Sequence, residues 1–175
     1  MKKLIVLILL VAAIGGICFA FSAEPKMKQN GSYLRMHVRA DSNEAEAQAV
    51  KYKVRDGVVS FLTPVVAECE SKQETMEKLS GLLKEIERVA ESILNANGFS
   101  YGAKASLRKE TFPTRVYEEV TLEAGVYDAL IIELGSGKGD NWWCVVYPPL
   151  CFAGGNANIT YKSKIAEIIK RFFGE

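Results

Sequence analysis

The 175-residue sequence holds a single histidine, His37, and four cysteines, at positions 18, 69, 144 and 151. One imidazole excludes a multi-histidine metal site, and no cysteine or carboxylate spacing resembles a zinc motif. No metal and no cofactor is therefore expected. An excess of charge of one sign is also missing, with 22 Lys and Arg against 21 Asp and Glu. Nucleic-acid binding needs a clustered basic surface, so no nucleic-acid partner is expected. A phosphate loop is absent as well. Gly135-Ser136-Gly137-Lys138-Gly139 has the composition, but the Walker pattern needs four residues between its first glycine and Gly-Lys, then Ser or Thr and a helix. Here Gly139 follows Lys138 and an extended run comes next, which predicts a flexible hairpin loop.

Long apolar runs are confined to the N-terminus. Met1-Lys2-Lys3 followed by the uncharged stretch Leu4 to Phe21 has the basic and apolar regions of a secretory signal peptide, here taken as residues 1–23. Small residues at Cys18 and Ala20, or at Ala20 and Ser22, offer cleavage sites, while the same run is long enough to stay as an anchor. A membrane would then be met only through this segment. Its removal takes Lys2 and Lys3, leaving 20 of the 22 basic residues against 21 acidic ones. Residues 24–32 are polar, with Pro25 and Gly31, and read as a linker. Residues 33–175 suit one domain with its own core.

Leu34-Arg35-Met36-His37-Val38-Arg39-Ala40 alternates and predicts a half-buried strand. Leu34, Met36, Val38 and Ala40 face the core, and Arg35, His37, Arg39 and Asp41 form a polar row expected to be solvated or to serve recognition. Asp41 with Glu44 resembles a capping box. Ala47, Val50, Val54, Val58 and Phe61 then give one apolar helix face, interrupted by Gly57 at a cost of about 1 kcal/mol relative to alanine. Lys51, Lys53, Arg55 and Asp56 are expected to be mostly solvated. Pro64 is expected to close or kink this helix before a short segment carrying Cys69. Ser71-Lys72-Gln73-Glu74 is a second capping box. It opens a long helix with an apolar stripe from Leu79 to Leu94, stopped by Asn97-Gly98.

Alternation from Tyr101 to Leu107 predicts a second strand and Pro113 ends it. Tyr127 to Leu134 predicts a third, and Trp142 to Tyr147 its hairpin partner. Ile165, Ile168, Ile169, Phe172 and Phe173 predict a C-terminal amphipathic helix. The fold class is α+β: a largely antiparallel sheet of about four strands with amphipathic helices packed on one face.

The densest run of unusual residues is Asp140-Asn141-Trp142-Trp143-Cys144-Val145-Val146-Tyr147-Pro148-Pro149-Leu150-Cys151. If extended, it sends Trp142 and Trp143 to opposite faces, so one indole enters the core and the other stays near the surface. Pro148-Pro149 stops the strand. Cys144 and Cys151 either form a disulfide across the double proline, which an oxidising compartment permits, or remain two buried thiols. Cys69 is left over as an apolar helix residue.

The stretch from Leu34 to Ser42, continuing to Gln48 and Lys53-Val54-Arg55-Asp56, and that from Tyr127 through Gly139 to the run ending at Cys151 resemble the stage II sporulation protein R family of endospore-forming bacteria. Asp41-Ser42-Asn43 stands where that family usually has Asn-Ser-Asp, and Asp140 where it often has histidine. The resemblance implies an exported signalling protein, made in the forespore and acting in the space between forespore and mother-cell membranes. Its implied partner is a membrane-embedded aspartic protease, sporulation protein GA, which removes the pro-sequence of sigma-E. Partner contact is expected at Arg35, His37, Arg39, Asp41, Asn141, Trp142 and Trp143, since Trp and Arg are enriched at binding hot spots. The competing expectation is a cysteine-type hydrolase with Cys144 as nucleophile, His37 as base and Asp41 or Asn141 orienting it.

Overall fold

Period-two alternation in the first strand sorts its side chains to two faces, and both faces of that strand are covered. The computed structural model describes residues 29–117, 120–153 and 159–174. The signal segment lies outside them, as does the linker up to residue 28. β1 (Gln29–Arg39) already takes in the end of the predicted linker. Helix α1 (Ala45–Val66), α2 (Lys72–Gly81) and α3 (Leu83–Ala96) follow. Next come β2 (Ala103–Phe112), the short β3 (Arg115–Tyr117) and β4 (Val120–Leu122), β5 (Gly125–Leu134) and β6 (Asn141–Tyr147). A 3₁₀ turn, Leu150–Phe152, leads towards α4 (Ile159–Phe173).

The architecture is α+β, with a mixed four-stranded sheet in the order β2-β5-β1-β6 and a separate β3-β4 pair. β1 runs parallel to β5 and antiparallel to β6, and β2 is antiparallel to β5. The predicted hairpin between the Tyr127–Leu134 and Trp142–Tyr147 strands does not form. β1 lies between them, because its two covered faces and two bonded edges suit a central strand, and the Gly135–Asp140 loop spans that gap.

Leu34, Met36, Val38, Val54, Val58, Ile86, Leu94, Leu130 and Ile132 are fully buried between the sheet and the helices. Fully burying such a side chain contributes about 1.5–3 kcal/mol. The helices cross closely at Gly57, where a Cβ would run into the Ile93 side chain. The residue that weakens α1 locally is thus the one that admits α3. Ile165 and Ile168 bring α4 onto the same core, and Phe172 packs against Tyr33 and Tyr147 with ring centroids 5.3 and 5.9 Å apart.

Several local expectations differ from the structure. Pro64 lies inside α1, which continues to Val66; no short helix precedes Ser71. The long second helix is two, divided at Leu82. Ser71 does cap α2, its hydroxyl accepting from the Glu74 amide at 3.2 Å, while the Glu74 carboxylate reaches back to the Glu70 amide. Gly98, at φ 82°, terminates α3. Asp41 caps nothing: α1 starts at Ala45 without a side-chain cap. Lys51, expected in solvent, is buried and donates to Gln48 Oε1 and to the Asp140 carbonyl. Burial pushes its pKa below the ordinary lysine value, against the pull of Asp140.

Candidate functional site

The face of the sheet turned away from the helices carries the polar row of β1, and the expectation that this row is solvated fails at its centre. Arg35 is 0% exposed and His37 1% exposed. The reason is sequence-distant. Phe112 at the end of β2, Tyr127, Ala129 and Ile131 on β5, and Trp143 on β6 lie on the same face and form a second apolar cluster. In the sheet Arg35 pairs with Ala129 and His37 with Ile131 on one side, and with Val145 and Trp143 on the other.

His37 is stacked beneath Trp143, with ring centroids 3.8 Å apart, and meets the Phe112 ring at 5.8 Å. Burial holds its pKa down at about 4, with the side chain of Asn141 and the charge of Glu110 pulling upward and Arg39 and Arg108 pulling downward. Among the described residues neither ring nitrogen reaches a partner at hydrogen-bonding geometry. The imidazole is therefore a neutral, flat spacer.

Arg35 sits among rings. Its guanidinium carbon lies 4.3 Å from the centroid of Phe112, 4.9 Å from Tyr127 and 5.6 Å from Tyr117. Its Nη2 donates to the Tyr117 hydroxyl at 2.7 Å, whereas Nε and Nη1 have no partner among the described residues. Burial raises the Tyr117 pKa, with Arg35 opposing. Tyr117 belongs to the β3-β4 flap, whose position follows from register: Phe112 is paired directly with Gly125. Residues 113–117 and 120–124 are thus a side excursion from the β2-β5 hairpin, folded back over the sheet. Thr114 Oγ1 accepts from the Ala124 amide and closes its base. Arg115 reaches over Trp143 at 5.8 Å, Leu122 is buried, and Val116 is 66% exposed.

Further along the same face the groups are charged and paired. Arg39 bridges Glu110 at 3.2 Å and Glu133 at 2.9 Å, and Arg108 contacts the same two carboxylates. Asn141 is exposed at the end of β6, in register with Arg39. Trp142 points to the helix side, half-buried, with the Arg55 guanidinium 5.2 Å from its ring. Neither indole is fully buried or fully exposed. Asp41 lies outside the row. Its carboxylate accepts from the Ser136 amide at 2.6 Å and its carbonyl from the Ser136 hydroxyl at 2.7 Å. Asn43 Oδ1 accepts from the Asp140 amide, and Gly139 lies so close to the Ser42 carbonyl that a Cβ would collide with it. The glycine loop and the Asp41-Asn43 loop are one interlocked corner.

The hydrolase arrangement is not assembled. Cys144 is bonded to Cys151, with a Cα separation of 5.9 Å. It pairs with Met36 and faces the helix side, while His37 lies one position on and points through the opposite face. Among the described residues no group of three His, Cys, Asp or Glu side chains could hold a metal ion, and no helix is long and apolar enough to cross a membrane. Tyr117, Phe112 and Tyr127 were not foreseen as neighbours of Arg35. The signal for Tyr117 was weak, since residues 113–124 read only as a connection, and nothing local showed that Phe112 and Tyr127, on either side of it, share the face of Arg35.

The model of the family described as stage II sporulation protein R matches residues 30–157, which include both interlocked loops, the caged Arg35 and the tryptophan strand. The chain belongs to the stage II sporulation protein R family. It is 34% identical over 119 residues to stage II sporulation protein R of Bacillus subtilis (strain 168), an alignment covering 68% of this chain and 53% of that protein. The chain thus spans about half the length of the curated relative it matches. No solved structure matches it. As a member of this sporulation family, it places the family's matched segment almost wholly in the sheet, its helices and the flap.

Proposed function

We propose that the chain is an exported sporulation signal, which crosses a membrane and activates, by contact, a membrane-embedded aspartic protease of the sporulation protein GA type that processes pro-sigma-E. The observation that carries the reading is the family match across residues 30–157. The basic and apolar N-terminus supports export, and a disulfide suits an oxidising compartment. Its place of action on this reading is the space between forespore and mother-cell membranes. The separation of the Cys144 sulfur from the His37 ring by the sheet favours contact over hydrolysis by that pair.

The contact face is taken to be the sheet face that carries Arg35, His37, Arg39 and Trp143, with Asn141 at its edge and the flap across it. Asp41 supports that face from the interlocked corner, and Trp142 braces it from the helix side. Co-expression of the full chain with the protease and its pro-sigma substrate in a non-sporulating host tests the reading. Processing that depends on the chain is expected, and its absence with all three proteins present would overturn direct activation.

A further inference from the structure

Among the described residues Arg35 is a buried cation without a buried anion beside it. An arginine stays ionised in a protein interior, and a charge removed from water is costly unless paired. Among the described residues the only hydrogen-bond partner of Arg35 is a neutral hydroxyl, on Tyr117, and two donor nitrogens, Nε and Nη1, have none. The three rings offset part of the cost through cation–π contacts with the desolvated guanidinium. Rings do not satisfy N–H donors as a carboxylate does.

Three further features bear on what belongs there. First, the cover is detachable: the flap is an excursion between directly paired residues, so it can lift without breaking a β2-β5 rung. Lifting it frees Nη2, which with Nε forms the side-on fork that matches a carboxylate. Second, the described sheet residues beside Arg35 offer no other free cation, and Arg115, on the flap, leaves with it when it lifts. Arg39 and Arg108 are committed to Glu110 and Glu133, so a phosphate dianion finds no second free cation among them. Third, Tyr117 also lines a cavity of about 300 Å³, with Leu150, Ala153 and Ile169 among the described residues around it. The described walls are mainly apolar and suit an aliphatic side chain.

We propose that Arg35 and the flap form a receptor for a carboxylate carried next to an apolar side chain on a protein partner, with Tyr117 holding the guanidinium until the carboxylate replaces it. The identity of that partner rests on the contact reading above, but the site itself can be tested alone. The probes are acetyl-Ala-Ala-Leu-Leu with a free C-terminus, the same peptide as its amide, and acetyl-Ala-Leu-Glu-Leu-amide. They are added to the isotope-labelled full-length chain in nonionic detergent, and the Arg35 Nε–H and Trp143 indole N–H resonances are followed.

At least one carboxylate probe is expected to shift both resonances and to bind at least tenfold tighter than the neutral amide. Whichever carboxylate wins distinguishes a chain end from an acidic side chain. Arg35→Lys keeps the charge without the fork and is expected to weaken binding at least tenfold. Tyr117→Phe, which keeps the ring and frees Nη2, is expected to strengthen it several-fold. Equal binding of acid and amide, no binding by a chain whose spectrum shows it folded, or tighter binding of phenyl phosphate would each overturn the proposal. Loss of peptide binding with processing intact in co-expression removes this site and leaves the signalling reading standing; the reverse result does the opposite.

Discussion

The imidazole of His37 lies 3.8 Å from the indole of Trp143, with the two planes 26° apart. The pair joins the first and last strands of the sheet across its outer face, and it does so with an imidazole that must be uncharged. In the unfolded chain His37 titrates near 6.5, and in the fold near 4. The unfolded state therefore binds the proton first as pH falls. Stability is complete above about 6.5 and is lost progressively between 6.5 and 4. This group alone makes the protein about 2 kcal/mol less stable at pH 5 than at pH 7.5. Urea midpoints across that range check it, and His37→Phe, which keeps a ring and removes the titration, is expected to flatten this part of the curve.

Gly139 and Gly57 contrast in what blocks a side chain. At Gly139 the obstacle is the Ser42 backbone carbonyl, which is fixed in the interlocked corner. At Gly57 it is the tip of Ile93, a flexible side chain. Gly139→Ala is expected to cost roughly 2–3 kcal/mol. Gly57→Ala is expected to cost less, because alanine gains about 1 kcal/mol of helix propensity, and pairing it with Ile93→Val should recover most of the loss. Thermal unfolding of the three variants measures both.

The disulfide closes a short loop, with Cys144 and Cys151 seven positions apart, for which chain entropy predicts about 2–3 kcal/mol. The double Cys144→Ser, Cys151→Ser variant is expected to lose about that much in denaturant unfolding. It is also expected to retain pro-sigma processing in co-expression at a temperature where it is folded. Lost processing by the folded variant would return Cys144 to consideration as a nucleophile.

Val116 is the exposed apolar residue of the flap. Val116→Asp is expected to change stability by less than about 0.5 kcal/mol, as surface substitutions do. On the contact reading it reduces processing at least several-fold, because an added carboxylate on the flap opposes an acidic partner. Unchanged processing would remove the flap from the contact face.

The helices and the inner face of the sheet were legible because their signals are local. The stripe from Leu79 to Leu94, the Ser71 cap and the Asn97-Gly98 stop depend on neighbours three or four residues away. The strand order was not legible. Pairing β1 with β5 and β6 joins residues about a hundred positions apart, and nothing in Tyr127–Leu134 or Trp142–Tyr147 states that another strand lies between them. The polar row of β1 misled for the same reason. Parity placed Arg35 and His37 on the outer face correctly, but solvent was inferred there because Phe112, Tyr127 and Trp143 could not be seen to share it. Asp41 was assigned by its distance to Glu44, when its partner, Ser136, is 95 positions away.

β1 begins the described chain yet occupies the middle of the sheet, flanked on both sides by segments from its last third. A chain delivered N-terminus first, from a ribosome or through a translocation channel, must therefore keep Leu34 to Val38 without either neighbour until residue 134 has emerged, and without the second until residue 147 has. Its central strand is the first to appear and among the last to be enclosed, so during delivery that segment is the one most in need of a chaperone.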